Sequence, residues 1–185
     1  MGILQIDIAA DRSLSARCAE VSVVACEPET CGREIAALMG ACAAADGQRS
    51  QGPVIARFEA ELASRPGRRV RAWLARLRSD AGQAGYRAGS VVGLVALVIS
   101  GDRNSQRYSI GWLLVEPAFR RRGIGRALVA AAVEAARDGG ATVVHAETSD
   151  RWPAAVAFWQ ATQLAAEQAV ARLSASGESR KTAEG

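Results

Sequence analysis

The sequence predicts an α/β fold: a mixed, mostly antiparallel central sheet flanked by helices, with one strand-helix-strand unit in its second half. Three observations carry this. Short β-branched and apolar runs recur up to Val115, with turn-forming residues between them. From Tyr108 to Glu147 a strand, a long Ala-rich helix and another strand follow one another, an order that calls for a right-handed crossover between parallel strands. The chain has 185 residues, 49% hydrophobic and 23% charged, which is the size and mixture of one soluble domain with a sizeable core. We therefore expect a single domain over residues 1–173 and a polar, disordered tail over 174–185 (SASGESRKTAEG).

Each element has its own signal. Ile3 to Ile8 (ILQIDI) and Val21 to Cys26 (VSVVAC) are short and rich in β-branched residues, as strands are. Pro28 breaks the second. Ile35, Leu38, Met39 and Cys42 recur at helical spacing and predict a helix from Gly32 to Ala44, and a second short helix is expected around Ile55 to Ala63, before Pro66 and Gly67. Val70 to Leu77 alternates imperfectly and Val91 to Ser100 is almost wholly apolar. They predict two strands joined by the Gly-rich turn Asp80 to Gly89, the second buried on both faces. Tyr108 to Val115 is the next strand. The helix Gly123 to Arg137 then presents Leu128, Val129, Ala132, Val133 and Ala136 as a buried stripe and ends at Gly139 and Gly140. Thr142 to Glu147 is a strand, and helix resumes from Pro153.

Composition removes several function classes. The longest uncharged apolar run, Val91 to Ile99, is a strand's length and far short of the ~20 residues a membrane helix needs. Asp7 and Asp11 stand where a secretory leader would be basic and then apolar, so a cytoplasmic location is expected and no membrane partner. The single histidine, His145, and Cys18, Cys26, Cys31 and Cys42 contain no CxxC and no HExxH, so no zinc site of ordinary spacing can be assembled. We read the cysteines as structural thiols. Of the 23 basic residues all but Lys181 are arginine. The group Arg65, Arg68, Arg69, Arg71, Arg76 and Arg78 mostly alternates with apolar residues, as the wet face of a strand does, and nucleic acid is not the expected partner.

The second basic group is different, because it sits among glycines. In Leu113 to Val129 (LLVEPAFRRRGIGRALV) a strand ends at Val115, Pro117 stops the ladder, and Arg120-x-x-Gly123-x-Gly125 turns directly into a helix. The first amides of a helix lack intrahelical partners and its dipole adds about half a positive charge there. Glycine lets the backbone approach a ligand that a Cβ would repel. Such a turn is an anion cradle suited to a pyrophosphate. The third glycine of a dinucleotide fingerprint is absent, and so is a GxxxxGK[ST] loop.

The longer word V-x-P-x-F-R-x-R-G-I-G-x-x-L, opening a helix after the fourth strand of an antiparallel run, closely resembles motif A of the GCN5-related N-acetyltransferase superfamily. The resemblance extends in order of elements from Val21 to Leu164. It implies an acetyl-coenzyme A dependent enzyme that holds its cosubstrate in a V-shaped gap where the strand Tyr108 to Val115 splays from the strand Thr142 to Glu147. Main-chain groups at Leu113 and Val115 would pair with the pantetheine arm. The amides from Arg121 through Gly123, Ile124 and Gly125 to Arg126 would hold the pyrophosphate, with charge from Arg120, Arg122 and Arg126.

The catalytic residues depart from the family's pattern. Many members carry a tyrosine general acid in a word like N-x-x-A-x-x-F-Y-x-x-x-G-F; the corresponding stretch here is Trp152-x-x-Ala155-x-x-Phe158-Trp159-x-x-x-Gln163-Leu164, with Trp159 in place of the tyrosine. Ser109 and Gly111 stand where relatives place a Glu or His base, and neither can serve. Glu116 and Glu147 are the nearest carboxylates, with Glu147 the expected base, and His145 shares its strand face. The two strands that relatives add after this helix are also missing. Ile3 to Ile8 fills that edge, or a second copy of the chain does in a homodimer. The leading reading is acetyl transfer to a primary amine of a small molecule or protein, attracted by Glu34, Asp46, Glu59 and Glu61. The alternatives are a catalytically degenerate acyl-coenzyme A binding protein and an Arg-rich RNA-binding protein.

Overall fold

One sheet of six strands, in the order β1-β6-β5-β4-β3-β2, organises the chain. The structure, a computed structural model, describes residues 2–7, 18–27, 30–45, 56, 60, 66–82, 85–102, 105–148 and 154–162. Its elements are β1 (Gly2–Asp7), β2 (Val21–Cys26), α1 (Gly32–Ala45), β3 (Arg68–Leu77), β4 (Val91–Ser100), β5 (Arg107–Val115), a 3-10 turn (Pro117–Phe119), α2 (Ile124–Asp138) and β6 (Val143–Thr148). Residues 154–162 form a last helix, α3. The predicted short helix at Ile55 to Ala63 and the tail 174–185 fall on residues outside the described set, apart from 56 and 60.

β2 to β5 form the antiparallel run, and β5 and β6 are parallel across α2, as the strand-helix-strand pattern requires. Two cores sit on the two faces. On one, Leu128, Val129, Ala132, Val133 and Ala136 of α2 pack with Val92, Val95, Leu97, Tyr108, Ile110, Val144 and Ala146. On the other, Ile35, Leu38, Met39 and Cys42 of α1 pack with Ala72, Leu74 and Leu94. Coverage from both sides explains why β3 alternates only at its start, where Arg69 and Arg71 are exposed, and is buried throughout Ala72 to Ala75. β4 is central, and its apolar run is buried almost from end to end. A Cβ on Gly93 would lie 2.8 Å from Leu128 Cδ1, so glycine here lets α2 approach the sheet closely.

Tyr108, 4% exposed, ties the two parallel strands to the end of α2: its hydroxyl lies 2.8 Å from the Gly139 carbonyl and 2.7 Å from Gln106 Oε1. Among the described residues no helix is long and apolar enough to cross a membrane.

The open question of the far sheet edge has a direct answer. β1 runs antiparallel to β6, from Gly2 opposite Thr148 to Asp7 opposite Val143, so the N-terminal segment supplies the edge strand. Removing residues 1–9 therefore strips the ladder from β6, and the truncated chain should unfold at a lower urea midpoint than one lacking 174–185. Equal midpoints would sink that role for β1.

Candidate functional site

The site begins with a strand that changes partner. β5 stays paired with β4 up to Val115, but the register slips between Ala96 and Leu97, where Trp112 and Ile110 are successive partners and Gly111 is the extra residue. A bulge of this kind bends the strand and increases its twist. On its other side β5 pairs with β6 only from Tyr108↔Val144 to Ile110↔Ala146. Among the described residues the β5–β6 ladder stops at Ile110, so the stretch from Gly111 to Val115, which includes Leu113, has no β6 partner there.

Where β5 ends, the Glu116 amide donates to Val92 O at 2.9 Å and Phe119 closes the 3-10 turn onto Glu116 O at 2.8 Å. Arg121 has φ 66° and Gly123 φ 85°, so two left-handed residues alternate with ordinary ones immediately before α2. Alternation of that kind points successive amides toward one centre. Gly123 is the N-cap of α2, its carbonyl taking the first intrahelical bond from the Ala127 amide at 3.1 Å, and nothing lies within 4 Å of a Cβ placed on it. The amides of Ile124, Gly125 and Arg126 open onto this space at the positive end of the helix. A Cβ on Gly125 would lie 3.2 Å from Phe158 Cε2, so this glycine also makes room for α3 against α2.

The four arginines are all exposed but not equivalent. Arg122 is braced: Nη1 is 3.1 Å from Glu20 Oε1, Nη2 donates to Ala118 O at 3.2 Å, and the guanidinium lies 5.0 Å over the Phe119 ring. The Arg122 carbonyl also accepts the Cys18 thiol at 3.3 Å. Arg120 Nε donates to the Val115 carbonyl at 3.1 Å, the same oxygen that takes the Cys42 thiol from α1 at 3.5 Å. Sequence reasoning missed Cys18, Glu20 and Cys42 here, and nothing near them in the chain points to this turn.

Glu147 belongs to β6 with its Cα opposite Ile3; its side chain lies outside the described set. His145 lies between Gln5 and Ser109 in the register, and its buried Nδ1 has no hydrogen-bond partner among the described residues. Glu116 is 8% exposed, with its carboxylate near the Tyr86 hydroxyl. Burial first, and then that carboxylate, push the Tyr86 pKa above its ordinary value. Tyr86 in turn meets the Phe119 ring edge-on at 4.9 Å. Trp159 is 5% exposed, stacked edge-to-face on Phe158 at 5.1 Å, and is a core residue.

The acidic acceptor surface needs correction at Glu34. Its two carboxylate oxygens take Arg76 Nη1 at 2.8 Å and Nη2 at 2.7 Å, and this hydrogen-bonded guanidinium, against a smaller opposing effect of burial, holds the carboxyl below the usual range. A carboxylate so paired offers little to an incoming cation. Asp46, Glu59 and Glu61 lie outside the described residues. A cavity of about 400 Å³ lined by Gln106, Tyr108, Gly139, Thr142 and His145 opens at the other end of the parallel strands, beside the C-terminus of α2 and away from the turn. No cluster of three or more His, Cys, Asp or Glu suited to a metal occurs among the described residues.

A family model described as the acetyltransferase (GNAT) family matches residues 53–163. An aminoglycoside N-acetyltransferase solved in complex with CoA is similar at TM-score 0.55 and 17% identity, covering 78% of this chain and 88% of that one. A transcriptional regulator from Bacillus halodurans C-125 is similar at TM-score 0.53 and 18% identity, covering 77% and 91%. A GCN5-related glucosamine N-acetyltransferase region of a fungal multi-domain β-N-acetylglucosaminidase gives TM-score 0.50 and 19% identity, covering 71% of this chain and only 14% of that one. No curated protein matches the chain. Identities this low carry the likeness of fold alone.

Proposed function

The chain belongs to the GNAT acetyltransferase family, and from that premise we propose that it moves an acetyl group from acetyl-coenzyme A to a primary amine of a small molecule or protein. The observation that carries this reading is the β5 stretch from Gly111 to Val115, unpaired with β6 among the described residues, running into a left-handed turn at the N-terminus of α2. The residues fit the cosubstrate in kind. Main-chain groups of Leu113 and Val115 would receive the pantetheine arm as an added strand. The Val115 carbonyl already holds Arg120 and Cys42, and an oxygen has two lone pairs, so Leu113 carries more of that pairing. Amides from Arg121 through Gly123, Ile124 and Gly125 to Arg126 would take the pyrophosphate. Arg120, Arg121 and Arg126 contribute charge, while Arg122, bound to Glu20, holds the turn in shape.

When bound, acetyl-coenzyme A supplies a thioester that is already activated. What the chain must add is an amine held in line, an amide pointed at the carbonyl oxygen and a way to carry off a proton. Glu147, near the end of β6, is our assignment for the proton acceptor, directly or through water. Trp159 cannot act as the acid, because indole does not titrate. That substitution also favours the second reading, a degenerate acyl-coenzyme A binding protein.

Release of free coenzyme A thiol across a panel of amines tests the proposal. Turnover with at least one amine supports it, and tight coenzyme A binding with no turnover favours the degenerate binder. If the chain is an enzyme that works by positioning, Trp159→Phe should keep activity within roughly tenfold, whereas loss of a true general acid costs about 10² to 10⁴. Glu147→Gln should lose more than about tenfold, with part of it returning at high pH, where more of the amine is already neutral.

A further inference from the structure

We propose that Cys18 and Glu20, in the segment leading into β2, are positioning residues that hold the Gly123 amide toward the pyrophosphate of the cosubstrate. The inference deepens the reading of the turn before α2 as the cosubstrate cradle and rests on it. Cys18 and Glu20 grip Arg122 at two ends. The Cys18 thiol donates to the Arg122 carbonyl at 3.3 Å, and Glu20 Oε1 lies 3.1 Å from Arg122 Nη1. Nη2 on the Ala118 carbonyl at 3.2 Å and the Phe119 ring at 5.0 Å fix the guanidinium further.

The gripping segment is itself pinned through its main chain. The Arg78 amide donates to Glu20 O at 3.0 Å, the Val21 amide to Cys18 O at 3.4 Å, and Arg78 Nε to Val21 O at 2.9 Å. Cys18 also packs against the core beneath α2. The end of β3 therefore carries the segment, and the segment carries the turn.

The turn needs such a support. Arg121 has φ 66°, a left-handed conformation that a Cβ makes costly, and it is the one non-glycine residue of positive φ among the described residues. A residue persists in that region where its surroundings over-determine it. Peptide geometry then says what the support does. The Arg122–Gly123 peptide is trans, so its N–H points opposite to its C=O. With the carbonyl turned to Cys18, the Gly123 amide is turned away from the segment, and a Cβ on Gly123 would meet nothing within 4 Å. A thiol is a weak donor and the Glu20–Arg122 pair is exposed, so neither contact adds much to the stability of the fold. Their effect falls on which way one peptide faces. If the released turn keeps this orientation about a tenth of the time, the Kd of coenzyme A rises about tenfold.

The test compares coenzyme A with pantetheine, which lacks the pyrophosphate, by titration of the full chain. The wild-type chain should bind coenzyme A the more tightly. Cys18→Ala combined with Glu20→Ala should raise the Kd of coenzyme A about tenfold and leave that of pantetheine within about twofold. Cys18→Ser combined with Glu20→Gln keeps a donor and an acceptor in place and should return part of the loss. A variant that folds incompletely loses both ligands by the same factor, so the ratio of the two Kd values still reports the turn. Glu20→Ala alone carries a sign. Removing a carboxylate that acted only as a charge beside an anion site would tighten coenzyme A, whereas removing one that positions Arg122 should weaken it. A preference for coenzyme A that survives the double alanine substitution, or tighter coenzyme A binding by Glu20→Ala, overturns the proposal and leaves the cradle standing. A wild-type chain that binds coenzyme A no more tightly than pantetheine removes the cradle itself, and the proposal with it.

Discussion

Phe119→Ala is expected to lower the unfolding free energy by about 3 to 5 kcal/mol, the range for removing a fully buried aromatic ring. Phe119 is 0% exposed, the largest of the fully buried side chains among the described residues, and it occupies the short turn between the end of β5 and the left-handed residues before α2. The Tyr86 ring meets it edge-on at 4.9 Å and the Arg122 guanidinium lies 5.0 Å above it. Truncation would remove the floor under Arg122 and leave a cavity that the sheet and α2, packed from both sides, cannot collapse to fill. Phe119→Leu keeps most of the volume and should cost less than about 1.5 kcal/mol. Urea unfolding of the two variants checks the ordering. A Phe119→Ala chain within about 1 kcal/mol of wild type would mean that the turn is not built on this ring.

What could be read in advance follows the range of the signal. β2 and β4 have the predicted bounds, and every residue of the predicted stripe on α2 is buried, because these patterns are set by neighbours within one element. The early end of the β5–β6 ladder was legible only through the motif word and the order of strands. The bracing of the cradle was not legible at all. Cys18 and Glu20 reach Arg122 across separations of 104 and 102 residues, and Glu34 reaches Arg76 across 42, contacts created by sheet order and not by local pattern. For the same reason Glu34 reads as an exposed acidic residue on a helix face until β3 brings Arg76 beside it. Gly125 shows the same limit: a glycine at a helix start has one signature whether it makes room for a ligand or for a neighbouring ring, and the Phe158 ring beside it is brought there by the fold.

Gly123→Glu is expected to abolish the rise in melting temperature that coenzyme A produces, and Gly123 tests the cradle more cleanly than Gly125 because no neighbour lies within 4 Å of its missing Cβ. Two effects act there and they separate. Gly123 has φ 85°, so any Cβ pays left-handed strain of about 1–2 kcal/mol, in the apo protein and with ligand alike. For a domain of this size that lowers the apo melting temperature by roughly 2–8 °C, at about 2–4 °C per kcal/mol. The carboxylate adds a negative charge where the free amides of α2 would meet a pyrophosphate, and this penalises only the bound state. Gly123→Ala carries the strain without the charge. It should melt early yet still gain from coenzyme A, whose binding at a hundredfold excess over its Kd stabilises by about 2.7 kcal/mol. Gly123→Glu should melt early and gain nothing. If instead the glutamate variant is stabilised by coenzyme A as fully as wild type, the pyrophosphate does not lie on the turn from Arg120 to Arg126, and the assignment of that turn as the cosubstrate cradle fails.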